Sequence, residues 1–150
     1  MRTSPRIVLI VALVVALLLA ADGQSYAGTR AARTRHKLLG FVNDFRRSEG
    51  LPVLKIDLVL SKFAWHHSLK MARERSLFHS TLLGTKVKQR GGSTWGENVG
   101  MGGSLWSVFA AWKKSAPHLR NLKYRRFRHA GIGVVYAHGA YWITLDLYGG

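Results

Sequence analysis

Gly131-Ile132-Gly133-Val134-Val135-Tyr136-Ala137 and Tyr141-Trp142-Ile143-Thr144-Leu145-Asp146-Leu147-Tyr148, joined by His138-Gly139-Ala140, decide the fold class of this chain. Both runs are rich in Val, Ile, Tyr, Trp and Thr, and the short connection reads as a hairpin turn. The segments before them have a helical period. Between about Thr34 and Ser48, Leu38, Phe41, Val42 and Phe45 recur at i, i+3, i+4, i+7, one face of a helix. Arg46 and Arg47 suit the negative end of its dipole, and Gly50 and Pro52 stop it. Asp57 is a good N-cap for a second helix running to about Arg75. Leu60, Ala64, His67, Ser68 and Met71 lie on one side, and Lys62, Lys70, Arg73 and Arg75 on the other.

Residues Ser76 to Gly92 lose periodicity, and a glycine-rich segment, Gly91 to Gly103, follows. Its Gly100-Met101-Gly102-Gly103 run lacks the Lys-Ser/Thr of a phosphate-binding loop and reads as a flexible loop. Ser104 caps a third helix with Leu105, Val108, Phe109 and Trp112 on one face. Pro117 ends it, and a short helical turn is expected at His118 to Leu122. Helices thus come first and an antiparallel sheet last, an α+β order rather than a βαβ repeat. The expected core comprises Leu38, Phe41, Phe45, Leu60, Ala64, Met71, Val108, Trp112, Val134 and Trp142.

At the N-terminus, Arg2 and Arg6 precede an uncharged run from Ile7 to Ala21. That run is shorter than the roughly 20 residues of a membrane span and fits the apolar part of a signal peptide. Ser25-Tyr26-Ala27 places small residues at −3 and −1, so cleavage is expected after Ala27, with Ala21 the weaker candidate. The expected organisation is a signal peptide over residues 1–27, a linker over 28–35 and one globular domain over 36–150. The 150-residue chain carries 23 Lys and Arg against seven acids, for a net charge of +16. Cleavage removes Arg2, Arg6 and Asp22 and leaves +15. Such a charge favours anionic partners, a cell-wall polymer or a lipid surface. There is no cysteine, which excludes a disulfide scaffold and a thiol nucleophile.

Histidine and one acid are the informative polar residues. His79 follows the second helix, His118 follows the third, and Glu97 lies between them in Trp95-Gly96-Glu97-Asn98-Val99. Two imidazoles and a carboxylate form either a metal-binding or an acid–base set. Glu97 alone can equally tie down its loop by accepting backbone N–H bonds. His66 and His67 lack an i+4 ligand partner and read as structural. The basic run Arg120, Lys123, Arg125, Arg126, Arg128 alternates with Tyr124, Phe127 and His129. A nucleic-acid groove uses such interleaving, but no nucleic-acid module accompanies it, and it reads as a solvated surface loop.

Taken in order, the motifs resemble the CAP superfamily (SCP domain), in its cysteine-free bacterial form. Asn43-Asp44-Phe45-Arg46-Arg47 with Gly50-Leu51-Pro52-Val53-Leu54 is similar to its opening helix. Leu77-Phe78-His79-Ser80 resembles the stretch bearing its first site histidine, and Gly96-Glu97-Asn98 its "GEN" motif. Trp112 to Leu122 resembles the bacterial "W-x-x-S-P-G-H-R-x-N-I-L" segment, and Gly131 to Val134 with Tyr141 to Thr144 the closing hairpin. The resemblance covers about Arg35 to Tyr148. It implies a three-layer α-β-α sandwich with a small antiparallel sheet and an open cleft lined by two histidines and two acids. Carried over, these are His79, Glu97 and His118, with Ser115 where the family's fourth residue is acidic. A weak zinc site at His79, His118 and Glu97 is the cofactor the resemblance suggests. The family has no common reaction. The leading expectation is a secreted, extracellular binding module acting at a cell surface or wall. The alternatives are an extracellular metal-assisted or His/Glu acid–base hydrolase, and a cationic membrane- or nucleic-acid-binding effector.

Overall fold

The computed structural model describes residues 30–150; the expected signal peptide and its cleavage site lie outside the described residues. Residues 30–48 form a helix, α1, and a compact unit spans Arg35–Gly150. Residues 30–35, read from the sequence as linker, are therefore helical, as their alanines and arginines favour. The elements that follow are β1 (Lys55–Ile56), α2 (Leu58–Glu74), α3 (Leu83–Lys88), β2 (Thr94–Gly102), α4 (Leu105–Lys114), α5 (Ala116–Lys123), β3 (His129–Ala137) and β4 (Ala140–Gly149).

Local chemistry accounts for the helix ends. Asp57 Oδ1 accepts from the N–H groups of Val59 and Leu60 and starts α2. Ser104 and Ser107 form a capping box at α4. Pro117, expected to end that helix, instead sits in the first turn of α5, where its missing N–H is no loss. The hairpin turn is His138-Gly139, both with left-handed backbone, φ 53° and 75°. This conformation matches the twist of the paired strands.

The sheet order is β1-β3-β4-β2. β2, β3 and β4 pair antiparallel, whereas β1 pairs parallel with β3, so the expected all-antiparallel sheet has one parallel edge. On β4, Ile143, Leu145 and Leu147 face the core built with Leu38 and Val42 of α1, Val108, Phe109 and Trp112 of α4, and Leu122 of α5. Trp142, Thr144 and Tyr148 face α2 and α3. The chain thus forms an α-β-α sandwich in three layers. Seven of the ten expected core residues are buried, while Phe41, Phe45 and Val134 pack at its rim.

The Gly100-Met101-Gly102-Gly103 run, read as a loop, is in strand β2 up to Gly102. The reason is space. A Cβ on Gly96 would lie 2.7 Å from Asn121 Oδ1, and one on Gly100 2.5 Å from Val108 Cγ1. Glycine there lets α4 and α5 lie close on the strand. On the opposite face, a Cβ on Gly133 would fall 2.2 Å from the Ala64 backbone, so α2 rests directly on β3.

Arg46 is fully buried in the α1 layer. Its Nε donates to Pro52 O (2.8 Å), Nη1 to Leu122 O (2.9 Å) and Tyr124 O (3.2 Å), and Nη2 to Phe127 O (3.2 Å). Among the described residues no carboxylate pairs with it; four carbonyl dipoles hold the charge. They lie in the loop after α1 and in the stretch from the end of α5 to β3, so one side chain fixes both.

Candidate functional site

Gly96 and Asn98 seat β2 against α5, and Glu97 between them turns to the opposite face. Gly96 leaves room for Asn121 and Phe127. Asn98 is fully buried; its Nδ2 donates to His118 O (3.1 Å) and its Oδ1 accepts from Asn121 Nδ2 (2.9 Å). Glu97 points to the other face. Its Oε1 accepts from the Ser80 N–H (2.9 Å) and bonds His79 Nδ1 (2.7 Å). Glu97 is buried, while the His79 ring is 63% exposed. The carboxylate therefore anchors the loop after α2 and orients an imidazole presented to solvent.

His67 helps to hold that loop. Its Nε2 donates to Phe78 O at 2.8 Å and lies 3.9 Å from Glu97 Oε2. A carbonyl can only accept, so Nε2 carries a proton. The structural role expected for His67 from the sequence thus lies beside the site rather than away from it. His118 stands on the α5 side, half-buried, with Nδ1 2.8 Å from Ser115 Oγ. Burial, and then the nearby His79, lower its pKa.

His79 and Glu97 thus meet directly, and His118 lies within electrostatic reach of His79, its Nδ1 taken by Ser115. A depression of about 280 Å³ lined by Phe63, His67, Lys70, Phe78 and His79 opens beside the pair. Among the described residues, no three His, Asp or Glu side chains converge as a metal-binding group. Glu97 Oε1 is committed to two donors, and Oε2 is fully buried. This arrangement offers two imidazole nitrogens, the Nε2 atoms, but no carboxylate ligand. It does not fit the three-ligand zinc set suggested by the resemblance.

The profile of the CAP family, described as the cysteine-rich secretory protein family, matches residues 39–146. The chain belongs to the CAP family. Solved structures with this fold include an extracellular SCP-domain protein of Bacillus anthracis (TM-score 0.67, 23% identity, covering 77% of this chain and 40% of that one). An outer surface protein of Borrelia burgdorferi gives 0.68 and 22%, with coverage of 78% and 92%. A cysteine-rich secretory protein of Staphylococcus aureus gives 0.66 and 21%, with coverage of 80% and 40%. This CAP chain spans about two-fifths of the Bacillus and Staphylococcus proteins. No curated protein matches it. These structural neighbours are described as extracellular, outer-surface or secretory.

Sequence reasoning missed Asn98, Asn121 and Asp146. Asp146 is fully buried on β4, directly opposite Glu97 in the strand register. Its signal was a lone acid in an otherwise apolar or β-branched run.

A second surface feature lies beyond α5. A depression of about 460 Å³ is lined by Trp95, Arg120, Asn121, Tyr124 and Phe127 among others, and one of about 620 Å³ by Ala116, Leu119, Arg120, Lys123, Tyr124, Arg125 and Arg126. They share Arg120 and Tyr124, and neither lining includes a carboxylate. Trp95 and Tyr124 are 45% and 41% exposed.

Proposed function

We propose that this CAP domain is a secreted binding module that grips an anionic cell-wall polymer along the groove sharing Arg120 and Tyr124. The observation that carries this reading is the state of the three arginines there. Among the described residues, the side chains of Arg120, Arg125 and Arg126 make no hydrogen bond or ion pair within the chain, whereas Lys123 pairs with Glu49 at 2.8 Å. Unpaired guanidinium forks in a concave, carboxylate-free surface match phosphate or carboxylate groups bidentately. Tyr124 offers a flat face for a ring between those groups. A membrane would prefer a convex surface with protruding apolar side chains; this one is a depression bordered by Arg120, Arg125 and Arg126.

The hydrolase reading takes second place, supported by the His79–Glu97 hydrogen bond alone. The test of the binding reading is sedimentation or calorimetry with a phosphate-bearing wall polymer. Replacing Arg120, Arg125 and Arg126 by Gln should weaken binding about tenfold or more, which is about 1.4 kcal/mol. Replacing Lys62, Lys70 and Arg73 on the exposed side of α2 removes the same charge and should change it much less. Equal losses in the two triple variants would reduce the interaction to net charge and sink the groove assignment.

A further inference from the structure

We infer that Asp146 is held as a neutral, protonated acid that donates a hydrogen bond to Glu97 Oε2, making Asp146 the positioning residue of the His79–Glu97 pair. The strand geometry places the two carboxyls together. Glu97 O accepts from Asn121 Nδ2 and Val99 O from Trp112 Nε1, so the odd-numbered carbonyls of β2 point away from β4. Glu97 and Asp146 are therefore a pair that does not exchange backbone bonds, the closer of the two cross-strand spacings. Both side chains lie on the α2 face.

The surroundings supply no cation. On β3 the residue opposite Asp146 is Gly131, which has no side chain. From α2, the Ser68 hydroxyl is committed to Gly133 O and Thr144 Oγ1, and the nearest titratable group is His67. Along β4, the Tyr148 hydroxyl donates to Asp57, which Arg90 also binds. The loop after α2 contributes His79, bound to the far oxygen of Glu97. Neither oxygen of Asp146 nor Oε2 of Glu97 receives a donor from any other described residue. The polar side chain directly opposite Asp146 across the strand pair is the Glu97 carboxyl itself.

Two carboxylates in such a place cannot both ionise, and a hydrogen bond between them needs one proton. Glu97 Oε1 already has two donors that favour its charge, and Asp146 has none, so the proton resides on Asp146. Burial, and then the charge of Glu97, push the Asp146 pKa well above the usual carboxylate range. The consequence reaches the groove. Glu97 collects donors from Ser80, His79 and Asp146 and keeps a single negative charge aimed at His79 Nδ1. That fixes the proton of neutral His79 on Nδ1 and leaves the Nε2 lone pair open to solvent.

Infrared spectroscopy of the intact protein at neutral pH tests this directly. The carbonyl band of a protonated carboxyl should be present, vanish in Asp146→Asn and persist in the exposed-site control Asp44→Asn. Absence of the band in the parent protein, or its survival in Asp146→Asn, overturns the assignment. The positioning role is read from the tautomer of the neutral His79 ring by nitrogen NMR. Asp146→Asn retains a donor and should leave the ring proton on Nδ1 as in the parent. Asp146→Leu removes the donor and should raise the share of the Nε2 tautomer. A tautomer share that changes equally in both variants, or in neither, overturns the positioning role.

Discussion

Two side chains with no exposed surface, Arg46 and Asp146, lie on opposite sides of the same sheet, and the fold handles them by opposite means. Arg46 keeps its charge. Guanidinium does not lose its proton in proteins, so four carbonyl oxygens are brought to it from the loop after α1 and from the end of α5 onward. Asp146 meets another acid and no cation, and we propose that it gives up its charge instead. A buried group that can change protonation needs little from its neighbours; one that cannot must be built around.

The contrast breaks most visibly at Arg46. Arg46→Leu orphans buried carbonyls and should cost about 4 kcal/mol, measured by chemical denaturation. Because the missing charge does not titrate, the loss should be the same across neutral and mildly alkaline pH. Arg46→Lys should recover little of it, since an ammonium cannot span carbonyls set for a fork.

The Asp146 side should give a smaller effect of opposite sign that grows with pH. Its folded pKa is raised, so the native state holds the proton more tightly than the unfolded chain. The resulting stability is fully present below the unfolded value of about 3.9 and is lost as pH rises toward the raised native value. Denaturation midpoints should therefore favour Asp146→Asn over the parent increasingly from mildly acidic to alkaline pH. A constant difference would mean that Asp146 does not titrate in this window.

The smallest expected effect lies at His118, whose pKa is lowered by burial and then by His79. Its NMR midpoint should fall below that of an ordinary histidine, and His79→Gln should move it part of the way back. An unchanged midpoint in that variant would separate the two imidazoles electrostatically.

Arg46 and Asp146 also mark what could be read in advance. Helix faces and caps are local: Asp57, Ser104 and the spacing of Leu105, Val108, Phe109 and Trp112 announce α2 and α4 within a few residues. The hairpin is local too. Strand β2 was illegible because three of the residues it turns toward α4 and α5, Gly96, Gly100 and Gly102, are glycines, whose reason for being there is the closeness of Asn121 and Val108, both from elsewhere in the chain. The short α3 lacks a side-chain cap. Of the site, His79, Glu97 and His118 could be named by resemblance. Asp146 could not, because its partner is 49 positions away across a strand register. The role of His67 was hidden likewise, since its bond is to a backbone carbonyl in the following loop.

Strand β2 is an edge of the sheet, and an open edge is a template for a second copy of the chain. Here the outward carbonyls of Glu97 and Val99 are already occupied by Asn121 and Trp112. The helices that pack on the strand thus occupy two of its outward carbonyls, and an incoming strand would find these acceptors taken. The packing that forms the core therefore also protects this edge against strand addition and the aggregation that follows from it.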